Sequence, residues 1–272
     1  MSDNAMVLLT AFLWVMALGA YGLRVARLGS YRSQRVHDVG GTILIGEGVM
    51  QATYWAVDPL VRRLVAIGVT ANAVTWSALV FGVAAAFALA FGRFGAACLL
   101  ATVSTMGDLV DGQIARVAGT GSARGAFLDS VIDRYTEFAF IAGFIIQAHD
   151  VPGFVAIALL ALLASFMSSY ATAKAELASV RTPRGLMRRH ERAVVLIVGA
   201  ALTGLFGPSV HGRWPSVPGS AVFVGTLALV AVLGNVATVR RLARIARALG
   251  AGDRRTARGW SSTRTDRRLA GR

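Results

Sequence analysis

The sequence predicts an all-α membrane protein: a polytopic bundle of six core transmembrane helices, with an extra N-terminal anchor helix and an amphipathic surface helix. Hydrophobic residues make up 55% of the 272 residues and charged residues only 15%, fewer charges than the surface of a water-soluble domain needs. Apolar runs of about 20 residues recur along the chain, and each is long enough to cross a membrane as a helix. A single cysteine, Cys98, excludes an internal disulfide and a cysteine-based metal cluster.

The N-terminal part is predicted to be a membrane anchor and linker, residues 1–42. Its apolar segment, 6–23, is followed by arginines instead of being preceded by them, which is the reverse of a secretory signal. Residues 43–67 mix apolar and charged residues and include Tyr54 and Trp55. This pattern is typical of an amphipathic helix at the membrane surface.

The core membrane domain is predicted at residues 68–241, followed by a basic cytoplasmic tail at 242–272. Its spanning helices are expected at 72–91, 96–117, 125–148, 154–175, 193–206 and 220–239.

The formal net charge of +14 comes mostly from arginines. In a membrane protein such an excess marks cytoplasmic loops and contact with anionic lipid more often than nucleic acid. The arginines concentrate in the links on one side, chiefly 176–192, and in the tail. The positive-inside rule therefore predicts a multi-pass protein of the cell membrane whose N-terminus is external. The tail is interpreted as a solvated or disordered segment on acidic headgroups.

Four carboxylates lie in or beside the second and third predicted core spans. They are Asp108, Asp111, Asp129 and Asp133. The first two are three residues apart and the last two are four apart, so each pair shares one helix face. The link between the spans is short, so the two acidic faces are expected to meet near the cytoplasmic end. Ionised groups at membrane depth are costly and are usually functional.

Converging carboxylates repel one another unless cations neutralise them. An all-oxygen site of this kind suits Mg²⁺ or Mn²⁺ better than zinc. Two such ions would clamp a pyrophosphate during displacement at phosphorus, and a carboxylate would take a proton from the attacking hydroxyl. The alternatives are a purely structural role or an ion-coupled transporter that uses the same acids as a path.

Small and basic residues accompany the acids. Gly112 and Ala115 lie beside the acidic face and allow a nucleotide to approach the backbone closely. Arg116 offers a planar fork to phosphate oxygens. Ser122, in the glycine-containing link, adds a further donor for phosphate.

Residues 108–133 fill the pattern D-x2-D-G-x2-A-R-x8-G-x3-D-x3-D without a gap. This pattern resembles the signature of the CDP-alcohol phosphotransferases. The resemblance implies a six-helix membrane fold with a preceding surface helix, matching residues 43–239. It also implies a metal-dependent transferase that moves a phosphatidyl group from CDP-diacylglycerol to an alcohol and releases CMP, and a homodimer.

The family's roles carry over by position. Asp108, Asp111 and Asp129 would be ligands of two Mg²⁺ or Mn²⁺ ions, and Asp133 would be both a ligand and the general base. The residues implied in CDP-lipid binding are Asn72, Thr75, Gly112, Ala115, Arg116, Ser122 and Gly125. For the segment that begins near Asn72 the alternative is a plain helix start, capped by Thr70 or Asn72.

The acceptor is predicted from two other segments, SYATAKAE at 169–176 and GLMRRHER at 185–192. They resemble segments of bacterial phosphatidylinositol phosphate synthases, whose basic residues bind the acceptor phosphate. The matching residues here are Lys174, Arg189, Arg192 and Arg241. The resemblance favours a phosphorylated polyol, inositol phosphate or glycerol 3-phosphate. Thr172 stands where the pattern usually has a lysine, so glycerol 3-phosphate or another polyol phosphate stays open beside inositol phosphate. A family enzyme with an unphosphorylated acceptor is the alternative. These arginines also have a topological alternative, since the positive-inside rule already predicts them here.

Overall fold

The structure is a computed structural model that describes residues 2–31, 33, 36, 46–180, 186–206 and 221–269, with side chains up to residue 250. Within these ranges it contains eight helices and no strand. The helices are α1 (Asp3–Leu28), α2 (Glu47–Ala66), α3 (Ala71–Ala90), α4 (Phe94–Val117), α5 (Ala123–Gln147), α6 (Pro152–Leu177), α7 (Arg189–Phe206) and α8 (Ala221–Leu269). Several predicted segments lie outside the described residues. They are most of the linker before residue 42, the helix start at 43–45, the link at 207–219 and Ser220.

Local capping explains where the helices around the acids begin. The Thr70 hydroxyl accepts a hydrogen bond from the Ala73 N–H at the start of α3, and the Ser122 hydroxyl accepts one from the Gly125 N–H at the start of α5. The link between α4 and α5 turns at Gly119, whose φ of 64° favours glycine. This short turn reverses the chain direction, and α4 and α5 each pack against α3.

Five of the described helices are long and apolar enough to cross a membrane: α1, α3, α4, α6 and the part of α8 up to residue 250. This is the composition of a multi-pass membrane protein. The other two predicted spans, now α5 and α7, carry charges such as Asp133, Glu137 and Arg192 that lower their hydropathy. The predicted total of six core spans and one anchor therefore stays a prediction. The last helix also continues beyond residue 239, through most of the predicted tail.

The bundle packs around aromatic rings from several helices. The ring of Phe223 on α8 lies 4.9 Å from that of Phe144, 5.6 Å from that of Phe94 and 6.2 Å from that of Phe140. Small residues let helices approach closely elsewhere, since a side chain at Gly143 on α5 would collide with the backbone of Ala86 on α3. In this way α3 is held tightly against α5, which carries two of the predicted ligands.

The extra N-terminal helix packs against the core at the end away from the acids. The Asp3 carboxylate accepts hydrogen bonds from the Gly95 N–H (2.7 Å) and the Ala96 N–H (3.1 Å), so it caps α4. The two helices thus begin at the same end and run parallel.

The surface helix α2 lies nearer the other end of α4. Its Val61 is buried with Val110 and Ile114, whereas Arg62 is exposed. This division between a buried apolar face and an exposed charged face is the amphipathic pattern that the sequence predicts for this segment.

The close approach of α3 and α5 predicts that Gly143→Ala destabilises the protein. The added methyl group meets backbone atoms of Ala86, which cannot rotate away, and overpacking of this kind costs about 1–3 kcal/mol. Thermal unfolding of the purified protein in detergent should show a lower midpoint. Gly225→Ala on α8 is the matched control, because its added methyl meets no atom within 4 Å. Equal midpoints for the two variants would contradict the packing described here.

Candidate active site

Three of the four predicted acidic ligands, carried by α4 and α5, converge on one place. Carboxylate oxygens of Asp108, Asp129 and Asp133 all lie within 4.8 Å of one another. Asp108 stands in the C-terminal half of α4, and the other two stand in the first turns of α5. Both helices pack against α3, and the short turn between them lets their acidic faces meet.

Asp111 points toward a different helix. It is only 4% exposed, and its Oδ2 accepts a hydrogen bond of 2.6 Å from the Thr75 hydroxyl on α3. Asp111 therefore shares a helix with Asp108 but lies outside the group of three. The bond ties Thr75, a predicted donor-binding residue, directly to the acid-bearing helix.

The residues present fit a divalent cation. All three converging groups offer oxygen donors, which Mg²⁺ and Mn²⁺ prefer. Their separation is close to the distance of about 4 Å between opposite ligands of an ion with bonds of about 2.1 Å. In addition, Asp133 Oδ1 is buried and faces the guanidinium of Arg189. A metal cation would compete with that guanidinium for the same oxygen.

Arg189, at the start of α7, enters the acid cluster. Its Nη2 forms ion pairs with Asp108 Oδ2 at 2.5 Å and with Asp133 Oδ1. The guanidinium thus neutralises part of the repulsion between acids of two helices. The sequence predicts this arginine as an acceptor-phosphate residue; in the structure its partners are two of the predicted metal ligands.

Arg192, one turn further along α7, is buried in a bidentate ion pair. Its side chain is 1% exposed, its Nε lies 2.8 Å from Glu137 Oε1 and its Nη2 lies 3.1 Å from Oε2. The prediction that Arg192 binds an acceptor phosphate remains a prediction, but one edge of its guanidinium is already bonded to Glu137.

The remaining two predicted acceptor residues lie on α6 and α8. Arg241 donates hydrogen bonds to the hydroxyls of Thr172 (2.8 Å) and Ser168 (3.2 Å). It lies near enough to Arg188 and Arg192 for the three positive charges to interact. Lys174 places its ammonium 5.5 Å from the centre of the Tyr170 ring. The four residues predicted to bind the acceptor phosphate therefore each contact different neighbours.

The predicted nucleotide-binding residues cluster at the turn between α4 and α5. A side chain at Gly125 would lie 3.2 Å from Ser122 Oγ and 3.7 Å from Asn72 Oδ1, so these three residues are neighbours. A side chain at Gly112 would lie 3.5 Å from the guanidinium of Arg116. Ala115 is partly exposed beside Arg116, which is exposed. The structure therefore brings these residues to one end of the acidic faces.

A cavity adjoins the acids on the side toward the bundle interior. Its polar lining includes Asp108, Asp133, Arg189 and Glu137. Glu137 was not among the predicted site residues, although it lies four residues after Asp133 and therefore on the same helix face. That periodicity was the available signal, and it lies beyond the last position of the family signature.

The geometry predicts unequal contributions of the four acids to metal binding. Asp129→Asn should weaken Mn²⁺ binding by about tenfold or more, because it removes a direct oxygen donor from the convergent group. Asp111→Asn should have a smaller effect, since its carboxylate is engaged by Thr75. Mn²⁺ titration followed by electron paramagnetic resonance measures both. Asp150→Asn, an exposed acid at the other end of α5, is the control. An Asp129 variant with unchanged affinity would exclude the site.

Comparisons with known proteins agree with this geometry. Residues 68–237 match the family model of CDP-alcohol phosphatidyltransferases. The chain is 34% identical over 158 residues to the phosphatidylinositol phosphate synthase of Corynebacterium glutamicum, covering 56% of this chain and 72% of that protein. It is 31% identical over 201 residues to the synthase of Mycobacterium tuberculosis, covering 72% and 88%.

The fold also matches solved structures. The crystal structure of the Mycobacterium tuberculosis phosphatidylinositol phosphate synthase with CDP-DAG bound aligns with a TM-score of 0.60 and 27% identity, over 71% of this chain and 92% of that one. The same enzyme in complex with manganese and citrate aligns with the same TM-score, over 69% and 87%. The matched region contains the whole acidic signature and the helices that carry it. The chain therefore belongs to the CDP-alcohol phosphatidyltransferase family.

Proposed function

We propose that this protein transfers the phosphatidyl group of CDP-diacylglycerol to a phosphorylated polyol and releases CMP. The observation that carries the proposal is the convergence of Asp108, Asp129 and Asp133 within 4.8 Å, inside the complete family signature. Two structures of one relative support the choice of donor and metal: the tuberculosis enzyme has been crystallised with CDP-DAG and with manganese and citrate. The metal-binding residues in this proposal are Asp108, Asp111, Asp129 and Asp133, and the ions are two Mg²⁺ or Mn²⁺.

Bound divalent cations would supply positive charge to the pyrophosphate of the donor. The chain's own residues do the rest. Asp133 is buried within the group of three acids, and it takes the proton of the acceptor hydroxyl. The resulting oxygen attacks the phosphorus that carries the lipid. The bond from that phosphorus to the bridging oxygen breaks, and the electron pair leaves with CMP.

Residues at the turn between α4 and α5 are proposed to hold the nucleotide. Arg116 is exposed beside Gly112, where its guanidinium can reach phosphate oxygens. Asn72, Ser122 and Gly125 lie together on the neighbouring side. We place this end of the bundle at the cytoplasmic face, because the arginine-rich link 176–192 and the arginines after residue 239 follow the positive-inside rule.

A phosphorylated acceptor is favoured by the charges around Arg241. Arg188 and Arg192 each lie near enough to Arg241 for their positive charges to act on it, and only Arg192 has a carboxylate partner among the ion pairs of the described residues. An anionic acceptor would relieve this repulsion, whereas a cationic alcohol such as choline would increase it. Thr172 occupies the position of the usual lysine, and its hydroxyl is bonded by Arg241. Arg241 is therefore proposed to supply the positive charge at this position.

The decisive assay measures CMP release from CDP-diacylglycerol with purified protein and Mg²⁺. The acceptors tested singly are inositol 1-phosphate, glycerol 3-phosphate, inositol and serine. Release only with a phosphorylated acceptor supports the proposal, and release with inositol or serine assigns an unphosphorylated one. If CMP appears with none of them while metal or proton flux appears in proteoliposomes, the protein is a transporter and the proposal is wrong.

Asp133→Asn should lower the rate of CMP release by about 10²–10⁴-fold, the usual contribution of a positioned general base. The amide keeps the shape of the side chain but cannot accept the proton. Thermal unfolding should show that the variant is folded. Persistent release at the rate of the unaltered protein would remove Asp133 from the role of base.

Arg241→Gln should raise the KM for the phosphorylated acceptor by about tenfold, because one charge-assisted contact to the phosphate is lost. The KM for CDP-diacylglycerol should stay within about twofold. Arg240→Gln, at the exposed neighbouring position, is the matched control and should leave both values unchanged. A rise confined to the KM of CDP-diacylglycerol would place Arg241 on the donor side instead.

A further inference from the structure

Glu137 extends the acidic face of α5 by one helical turn. It follows Asp129 and Asp133 at intervals of four residues, so the three carboxylates lie along one stripe of the helix. Its side chain is 11% exposed and lines the cavity that also contains Asp108, Asp133 and Arg189. Glu137 is therefore a mostly buried acid next to the site that has no place in the family signature.

The partner of Glu137 is Arg192, and the pair is joined along one edge of the guanidinium, through Nε and Nη2. Each carboxylate oxygen accepts one hydrogen bond, from Nε at 2.8 Å and from Nη2 at 3.1 Å. This parallel geometry restrains the arginine more than a single contact would. Glu137 thus fixes the direction in which the rest of the guanidinium points.

The free edge of the guanidinium holds the chain just before α7. Arg192 Nη1 donates a hydrogen bond of 2.8 Å to the carbonyl oxygen of Met187. Met187 has a φ of 57°, a left-handed conformation that is unfavourable for a side chain of this size, and it is buried. The strained turn persists because surrounding contacts hold it, and the contact with Arg192 is one of them.

That turn sets the start of α7, where Arg189 stands. The Arg188 N–H donates a hydrogen bond to Glu191 Oε2 at 3.1 Å, and the Arg192 N–H donates one to the Arg188 carbonyl at 3.0 Å. Arg189, between these bonds, directs its guanidinium to Asp108 and Asp133. The position of Arg189 at the acids thus depends on the conformation of residues 187–188.

We propose that Glu137 is a positioning residue of the metal site. Through Arg192 it holds the turn at Met187, and through that turn it keeps Arg189 against Asp108 and Asp133. This inference rests on the proposed function, because it assumes that these two acids bind divalent cations. It assigns Glu137 no contact with substrate or metal.

A contribution to the stability of the fold does not by itself explain the buried ion pair of Glu137 and Arg192. Desolvation of two charges offsets most of their attraction in a buried site, so replacing both partners with neutral groups often costs little, whereas removing one partner is strongly destabilising. A variant that neutralises both residues therefore separates the positioning role from a merely structural one. We expect the variant with both residues neutralised to fold. Its Met187 carbonyl then lacks the charged donor that Arg192 supplies.

The test measures Mn²⁺ affinity by electron paramagnetic resonance on the purified full-length protein. Arg189→Gln should tighten Mn²⁺ binding by about tenfold, since it removes a positive charge that competes for the two carboxylates. Glu137→Gln combined with Arg192→Gln should tighten it several-fold, because Arg189 is released from the acids. In the Arg189→Gln background the same double substitution should have no further effect, as expected for residues that act through one another.

Controls make the result specific. Arg93→Gln removes an ion-paired arginine at the far end of α4 and should leave Mn²⁺ affinity unchanged. If the double variant does not fold, Arg192→Lys replaces it. An ammonium group keeps the charge opposite Glu137 but lacks the fork that reaches the Met187 carbonyl at the same time, so it should also tighten Mn²⁺ binding.

Two outcomes overturn the inference. One is Mn²⁺ affinity in the folded double variant, or in Arg192→Lys, equal to that of the unaltered protein. The other is a several-fold tightening that persists in the Arg189→Gln background, which would mean that Glu137 does not act through Arg189. A protein that binds no Mn²⁺ would remove the metal site and this inference together. The CMP-release assay tests the proposed function separately from all of these results.

Discussion

Mutual repulsion among carboxylates in a membrane-embedded bundle is the constraint on which the rest of the structure depends. Asp108, Asp129 and Asp133 lie within 4.8 Å of one another, where the low dielectric makes like charges costly. Such a cluster persists only if positive charge is held close to it. Arg189 supplies part of that charge from α7, and divalent cations would supply more.

This requirement also explains the arrangement of helices. The charged helices α5 and α7 cannot present their polar faces to lipid, so those faces turn toward the acids and toward each other through Glu137 and Arg192. More apolar helices expose their side chains instead, as Phe12 and Val15 do on α1. The close contact at Gly143 and Ala86 keeps α3 against α5. A polar site can therefore exist inside a chain of high hydropathy.

The arginines are one feature of the composition, but individual arginines have different roles in the structure. Their distribution along the chain indicates the orientation of the bundle, and by that criterion they are equivalent. In the structure Arg189 contacts predicted metal ligands, Arg192 joins Glu137 to the Met187 carbonyl, and Arg241 bonds to Thr172 on another helix. Partners of this kind come from helices far apart in the chain.

The amino-acid sequence was sufficient for the family, the helical membrane class and the convergence of acids from α4 and α5. These features follow from local rules: apolar length, a helical period of 3.6 residues and a short link that makes neighbours antiparallel. The sequence did not predict three contacts. They are the hydrogen bond between Asp111 and Thr75, the ion pairs of Arg189 with the acids, and the ion pair of Glu137 with Arg192. Each of these joins residues at least 36 positions apart, so each depends on how packed helices are rotated and shifted against one another. That relative placement arises from the fit of side chains across the whole bundle, which no single segment of the chain encodes.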